Sequence, residues 1–272
     1  MGRYDNYLLV TDMDGTLLTP EQKLPDGFGD MLKELKKRNC LFVPASGRQY
    51  YSLLKTFEPY KDDMIFMGDN GNVIRDGKGK EYFADVIPQE TVKRIYEKSV
   101  AIDQPYITLC CKNKAYITHA WDKYLDECLK YFEEWAFIDK LDDIANVGDD
   151  VVKIAVADCE HVEAEQRVYN PFVEEFKDDV QVVLSSNLWV DVMNNGAGKG
   201  RGVKVLQEKL GIKPSECAAF GDFLNDYTMM QAVDYSFAMA NAFPELKKVA
   251  KYEAPSNAEF GVVKKVYELL EK

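Results

Sequence analysis

At roughly 150 residues per domain, a chain of 272 residues makes one large domain or two unequal ones. Hydrophobic residues at 46% and charged residues at 29% give a globular balance that excludes a disordered chain. Against 46 Asp and Glu stand 34 Lys and Arg, a net charge of −12, which argues against a generic nucleic-acid partner because phosphate-backbone binding needs a basic surface.

No apolar run approaches the roughly 18 to 20 residues of a membrane-spanning helix, and Met1 to Asn6 leads into a strand rather than a signal peptide. The reading is therefore a soluble, unexported protein with no membrane partner. Six cysteines without a C-x-x-C pair read as reduced core thiols, which points to the cytoplasm. With only His119 and His161 in the chain, a multi-histidine metal site is excluded, and carboxylates must carry the chemistry.

In chain order, Tyr7 to Thr11 is an apolar run without alternation, as in a parallel strand buried on both faces. Phe28, Met31, Leu32 and Leu35 then recur at helical spacing, so 27–38 reads as a helix and Cys40 to Ala45 as the next strand, a β–α–β unit. A helix over 51–57, a strand over 64–67 and a tight turn at Gly68 to Asn72 complete an α/β opening of 84 residues. After Pro88 the pattern changes to a helix over 89–102 and a hairpin of 106–111 with 115–119 about the turn Lys112-Asn113-Lys114. A helix over 122–135, a strand over 151–157, a helix over 160–176 and strands over 180–184 and 188–193 follow, an α+β layer with antiparallel pairing. The α/β pattern resumes with a helix over 202–210 capped by Gly211, a strand over 217–220, a helix over 226–233 and a strand over 235–239. The expectation is a Rossmann-like doubly wound parallel-sheet core, 1–84 and 194–272, into which an α+β cap, 85–193, is inserted. The acidic stretch 139–150 reads as a solvated loop.

Ligands of open α/β sheets sit beyond the carboxyl ends of the strands, so the polar residues after each apolar run form the candidate set. These are Asp12-Met13-Asp14-Gly15-Thr16, Ser46-Gly47-Arg48, Gly198-Lys199-Gly200 and Gly221-Asp222-Phe223-Leu224-Asn225-Asp226. If the strand stays extended past Asp12, Asp12 and Asp14 point the same way and place two carboxylates around one small volume. Asp222 and Asp226 add oxygens of the kind that hold magnesium, a hard cation bound by carboxylates, water and substrate phosphate. A carboxylate approaching a phosphate needs positive charge to cancel the repulsion, and the metal and Lys199 supply it, while the Ser46 hydroxyl and glycine-loop N–H groups suit phosphate oxygens. A calcium-sensor loop is excluded, since Gly15 falls directly after the second Asp, where an EF-hand still needs another ligand first.

These motifs, with Asn70-Gly71, Ala238 to Ala242 and Ser256 to Val262, resemble the Cof-type phosphatases of the haloacid dehalogenase superfamily, whose type-two cap is inserted between the second and third motifs. The resemblance covers the core; the cap matches in pattern only. It implies Asp12 as the nucleophile that forms an aspartyl-phosphate and Asp14 as general acid and then base. It implies Ser46, Gly47, Lys199 and Asn225 around the phosphoryl group, and Mg2+ at Asp12, the Asp14 carbonyl and Asp222, with Asp226 close by. Two residues depart from the family pattern: Ser46 stands where Thr is commoner, and Phe223 where a small or polar residue is commoner, a bulk expected to narrow the entrance. The implied substrate is a small phosphorylated metabolite, most plausibly a sugar phosphate, handled by a monomer. The competing readings are a phosphohexomutase that needs a bisphosphate activator, a non-catalytic metabolite-binding protein on the same fold, and a nucleic-acid 3′-phosphatase, the last disfavoured by charge.

Overall fold

The computed structural model describes residues 6–140, 142, 143 and 148–271. The expected entry at Met1 to Asp5 and part of the acidic 139–150 loop lie outside the described residues. Two compact units divide the chain, one of 1–83 with 198–272 and one of 84–197, where the sequence pattern had placed the changes at 84/85 and 193/194.

The first five strands are β1 (Leu8–Asp12), β2 (Leu41–Ala45), β3 (Ile65–Gly68), β4 (Val73–Asp76) and β5 (Glu81–Ala84). Six more belong to the second unit, namely β6 (Tyr106–Cys111), β7 (Ala115–Ile117), β8 (Trp135–Phe137), β9 (Val151–Ala157), β10 (Val180–Leu184) and β11 (Trp189–Asn194). The remaining strands are β12 (Cys217–Gly221), β13 (Tyr235–Met239) and β14 (Tyr252–Ala254). The α-helices are α1 (Phe28–Lys37), α2 (Tyr50–Thr56), α3 (Gln89–Val100), α4 (Leu125–Leu129), α5 (Asn170–Phe176), α6 (Lys199–Leu210), α7 (Tyr227–Gln231), α8 (Pro244–Lys247) and α9 (Gly261–Leu270).

In the first unit the sheet order is β14-β13-β12-β1-β2-β3-β4-β5. Pairing is parallel from β14 to β3 and turns antiparallel at β3 with β4. The sheet is thus doubly wound and parallel at its centre, with an antiparallel edge. β1 lies centrally between β2 and β12, every one of its residues is buried, and its last residue, Asp12, stands beside Ala45 in the register with β2. Strands buried on both faces need unbroken apolar runs, which is why these segments were visible without alternation.

The edge hairpin escaped the sequence reading because Arg75, Asp76, Lys78 and Lys80 break its apolar pattern. Arg75 is nevertheless buried, paired with Glu81 at 2.9 Å, its guanidinium 5.6 Å from the Tyr50 ring centre. The C-terminal helix α9 was also unassigned; it buries Val262, Val263, Val266, Leu269 and Leu270 and follows Phe260, which turns the chain at φ 60°.

In the second unit the sheet order is β10-β11-β9-β6-β7-β8. One face packs Ile107, Leu109, Ile154, Val156, Val190 and Val192 against Ile95 of α3 and Phe172 and Phe176 of α5, so the alternation of each strand sets which residues enter this core. Trp121 anchors the other face, its indole N–H donating to the Ile107 carbonyl at 3.0 Å.

Two predicted helices of this unit are corrected. The one over 122–135 is a 3₁₀ segment, His119–Tyr124, followed by the short α4, and Trp135 opens β8, parallel to β7. Trp135 and Phe137 suit the pleated surface better than another helical turn, and their rings meet edge to face at 5.2 Å. The helix over 160–176 starts late, because the Asp158 carboxylate takes the N–H groups of His161 and Glu163 and holds a turn there, with Val162 at φ 60°; it then runs through a π-helical stretch, Glu165–Tyr169, into α5.

Candidate functional site

Every residue of the candidate set lies in the unit formed by 1–83 and 198–272. β1 delivers Asp12 to the carboxyl edge of the sheet, buried at 6% exposure. The chain does not stay extended beyond it. Residues Met13–Leu17 turn tightly, with Gly15 at φ +77°, and the two carboxylates take different partners, Asp12 pairing with Lys199 and Asp14 with Arg48. A β-carbon on Gly15 would lie 2.3 Å from Oδ2 of Asp222, so glycine is needed there both for its backbone angle and for the carboxylate that presses against it.

Lys199, the first residue of α6, is fully buried with its ammonium between two carboxylates, 2.5 Å from Asp12 Oδ1 and 2.7 Å from Asp226 Oδ1. Burial alone would push this ammonium down, but the attraction of Asp12 and Asp226 outweighs it and holds the pKa above the usual lysine value. For Asp12 the balance runs the other way: burial raises the carboxyl well above the usual range, Lys199 pulls it back, and Asp226 and Asp222 push it up again. Asp222 is also raised, chiefly by burial, while a hydrogen bond from the Thr16 hydroxyl to Oδ1 at 2.9 Å opposes the shift.

Asp226 is wholly buried and fully engaged. Its Oδ1 accepts from Lys199, and its Oδ2 accepts the N–H groups of Asp222 at 3.0 Å and Phe223 at 3.2 Å. Its carboxylate therefore shapes the loop after β12 and seats the lysine. Gly221 lets it approach, since a β-carbon there would stand 2.6 Å from the carboxylate.

One oxygen from each of Asp12, Asp222 and Asp226 lies within 4.8 Å of the others. Carboxylate oxygens at this spacing fit a hard cation such as magnesium and suit a soft one poorly. Asp14, expected in the same set, is not part of this cluster. Its carboxylate is held by Arg48, with Nε 3.1 Å from Oδ2 and Nη2 on Oδ1, and Arg48 also donates to Gln22 at 2.9 Å. Any share of Asp14 in the cation site thus falls to its backbone carbonyl, while its side chain, 49% exposed, stands at the open edge.

Ser46 follows β2 and is 2% exposed; its hydroxyl oxygen accepts the Arg48 N–H at 3.1 Å, which leaves the hydroxyl proton to be donated. Gly47 lies against the Asn70 side chain, to which a β-carbon would come within 3.3 Å. Asn225 donates to Asn70 Oδ1 at 3.3 Å, so the loops after β2, β3 and β12 meet there. Phe223 is 51% exposed and lies edge to face with Phe243 at 5.4 Å.

The structure therefore gathers Asp12, Lys199, Asp222 and Asp226 into one charge cluster, buried except for the half-buried Asp222, with Ser46, Gly47 and Asn225 on neighbouring loops and the Asp14 side chain paired with Arg48 at the open edge. Sequence reasoning gave no role to Thr16, Asn70 or the Arg48 side chain. Thr16 and Asn70 sit inside the quoted motifs, but only the fold reveals what their side chains reach.

Comparison with known proteins gives the family. The sequence model of the haloacid dehalogenase-like hydrolases matches residues 9–266. The chain is similar to the 5-amino-6-(5-phospho-D-ribitylamino)uracil phosphatase YbjI of Escherichia coli (strain K12), at 29% identity over 258 residues, 94% of this chain and 93% of that one. It is 27% identical over 248 residues to the HMP-PP phosphatase of Klebsiella pneumoniae (strain 342), covering 88% of this chain and 86% of that one. Among solved structures, SMU.1108c from Streptococcus mutans UA159 superposes with a TM-score of 0.83 at 25% identity, covering 98% of this chain and 99% of that one. The chain belongs to the haloacid dehalogenase-like hydrolases.

Proposed function

We propose that this protein is a magnesium-dependent phosphatase of small phosphorylated metabolites, with sugar and polyol phosphates as the first class to test, acting through a phosphoryl group carried on Asp12. The observation that supports it most is the buried Lys199 ammonium held between Asp12 and Asp226, beside the Asp222 carboxylate. A cation fixed there can neutralise an incoming phosphoryl group without having to be ordered during the reaction. Both relatives named above are phosphatases of small molecules, and the name of the Escherichia coli one specifies a phospho-D-ribityl group.

In this reading an Asp12 oxygen attacks phosphorus and the bond to the leaving oxygen breaks. Asp14 gives its proton to that oxygen, then takes a proton from the water that attacks the aspartyl-phosphate, and the Asp12 carboxylate is restored as phosphate leaves. The Ser46 hydroxyl, the Gly47 N–H, Lys199 and Asn225 hold the phosphoryl oxygens. Asp12, Asp222 and the Asp14 carbonyl hold magnesium, with Asp226 keeping the Asp222 loop and Lys199 in place. Magnesium, when bound, offsets the charge on the phosphoryl oxygens and on the nucleophile. Choice of leaving group is assigned to the residues of the 84–197 unit.

Phosphate release from a panel of sugar phosphates, nucleotides and phosphorylated cofactors, with magnesium or with EDTA, tests this. Turnover that needs magnesium is expected; a panel with no turnover, an aryl phosphate included, contradicts the reading.

Two outcomes follow from the local geometry. Thr16 is 1% exposed and its hydroxyl donates to Asp222. Thr16→Val keeps the shape and removes that bond, so the half-saturating magnesium concentration should rise about tenfold, as for other groups that orient a metal ligand. An unchanged magnesium titration would rule out that role. Because burial raises the carboxyls of both Asp12 and Asp222, protons compete with the cation above the usual carboxylate range. The sign is that affinity rises with pH and declines as pH falls through those raised values. Magnesium titrations at neutral and mildly acidic pH check this, and a half-saturation point that stays constant contradicts it.

A further inference from the structure

Two of the loops that carry residues assigned above, 13–18 after β1 and 222–226 after β12, are both touched by a third loop. Beyond the end of β13, Asn241 donates from Nδ2 to the Gly15 carbonyl at 2.7 Å. Two residues later the Phe243 N–H donates to the Asp222 carbonyl at 2.7 Å. Asn241 is itself seated, because its Oδ1 accepts the Asn257 N–H at 3.2 Å, and Asn257 Nδ2 donates to the Leu18 carbonyl at 2.8 Å. A reciprocal turn fixes Asn257 in place: Glu259 Oε2 accepts from the Ser256 N–H and hydroxyl, and the Glu259 N–H returns to the Ser256 carbonyl. The partners dictate how the Asn241 amide is oriented, since a carbonyl can only accept and a backbone N–H can only donate.

Gly15 is the weak point of the loop that this brace serves. At φ +77° and with no β-carbon, its backbone does not by itself fix how the peptides on either side of it are turned. The Asp14 carbonyl belongs to the peptide before Gly15 and the carbonyl that Asn241 takes to the peptide after it, so holding the second limits how the first can turn. On one side the loop is pinned by β1 and by the Leu18 N–H on the Met13 carbonyl at 2.9 Å; on the other, Asn241 takes the Gly15 carbonyl.

We propose that Asn241, seated on Asn257, is a positioning residue of the phosphoryl-transfer site. It locks the Gly15 peptide so that the Asp14 backbone and side chain keep their place relative to Asp222, to which the same loop is tied through Phe243. The inference rests on the phosphatase reading above. Asn241 has no part in the phosphate or metal set assigned above, its side-chain bonds going to Gly15 and Asn257, and it is exposed, so its side chain adds little to the core.

The test is made on the full-length chain with Asn241→Ala and Asn241→Asp, the second of which keeps an acceptor for Asn257 and presents no donor to Gly15. Magnesium binding is read by calorimetry without substrate, kcat and KM with an aryl phosphate, and stability by thermal unfolding. Both variants should bind magnesium about tenfold more weakly and lose about tenfold in kcat, with KM and the melting temperature close to wild type. Wild-type magnesium affinity and kcat in both variants overturn the inference and leave the phosphatase reading standing. Losses matched by a large fall in melting temperature also overturn it, because they mark a purely structural residue. A wild-type protein that neither binds magnesium nor releases phosphate overturns the phosphatase reading, and the inference with it.

Discussion

Asp12→Asn is expected to abolish phosphate release, with kcat/KM falling by about ten-thousandfold or more, while the protein stays folded. The amide has the shape of the carboxylate and can still accept from Lys199, which lies 2.5 Å from Asp12 Oδ1 in the wild type, so the buried cluster keeps a partner at that position. What disappears is the charge that makes the oxygen a nucleophile, and losing a covalent nucleophile outweighs losing any single positioning contact. Folding should be little affected, since the amide keeps the shape and an acceptor for Lys199, whose pairing with Asp226 remains. Phosphate-release assays and thermal unfolding on the same preparations check both halves. Activity retained at more than about a hundredth of wild type would place the nucleophile elsewhere.

Lys199→Met carries the second large effect, and here stability and activity fall together. Lys199 has no solvent exposure and bridges Asp12 and Asp226, so its removal leaves two carboxylates facing each other inside the protein. Breaking a buried charge pair from one side typically costs about 3–5 kcal/mol, much of it the penalty on the abandoned charge. Phosphate release should also vanish, because the positive charge that Lys199 brings to the nucleophile through its hydrogen bond to Asp12 is lost. Adding Asp226→Asn to Lys199→Met separates the two effects. The double variant should recover part of the lost stability, since the amide oxygen can still accept the N–H groups of Asp222 and Phe223, and it should recover no activity. Chemical denaturation and phosphate-release assays decide it: a Lys199→Met protein with wild-type stability contradicts the ion-pair account, and one with wild-type turnover contradicts the role in phosphoryl transfer.

Much of the core was legible in the sequence because strands buried on both faces leave unbroken apolar runs. The run Tyr235–Met239 is β13 as read, β1 is shifted by one residue from its expected span, and β2 starts one residue later than expected. Position along the sheet then drew attention to Asp12, Lys199 and Asp222, since each follows a strand or opens the helix that returns from one. Harder to read were elements whose apolar residues serve a neighbour rather than their own period. Trp135 continues the helix-like spacing of Leu125, Cys128 and Phe132 yet pairs with β7, and Arg75 sits buried in a strand that looks polar.

Within the candidate site, residue type was readable and side-chain direction was not. Two residues of spacing cannot say whether the chain stays extended, and the turn at Gly15 sends Asp14 to Arg48 rather than to Asp222. Nor can sequence distance reveal that Asn241 closes on Gly15 across 226 positions, or that Thr16 fixes an oxygen of Asp222 across 206. Those contacts exist only once β1, β12 and β13 lie side by side in register.

The central claim is that phosphate passes through a covalent bond to Asp12. Acid quenching during turnover of an aryl phosphate, followed by mass spectrometry of the peptide containing Asp12, tests it most directly. The account predicts one added phosphoryl group on Asp12, removed by hydroxylamine as an acyl phosphate should be and absent from Asp12→Asn. Steady turnover under the same conditions, with Asp12 unmodified or the phosphoryl group on another residue, would contradict it.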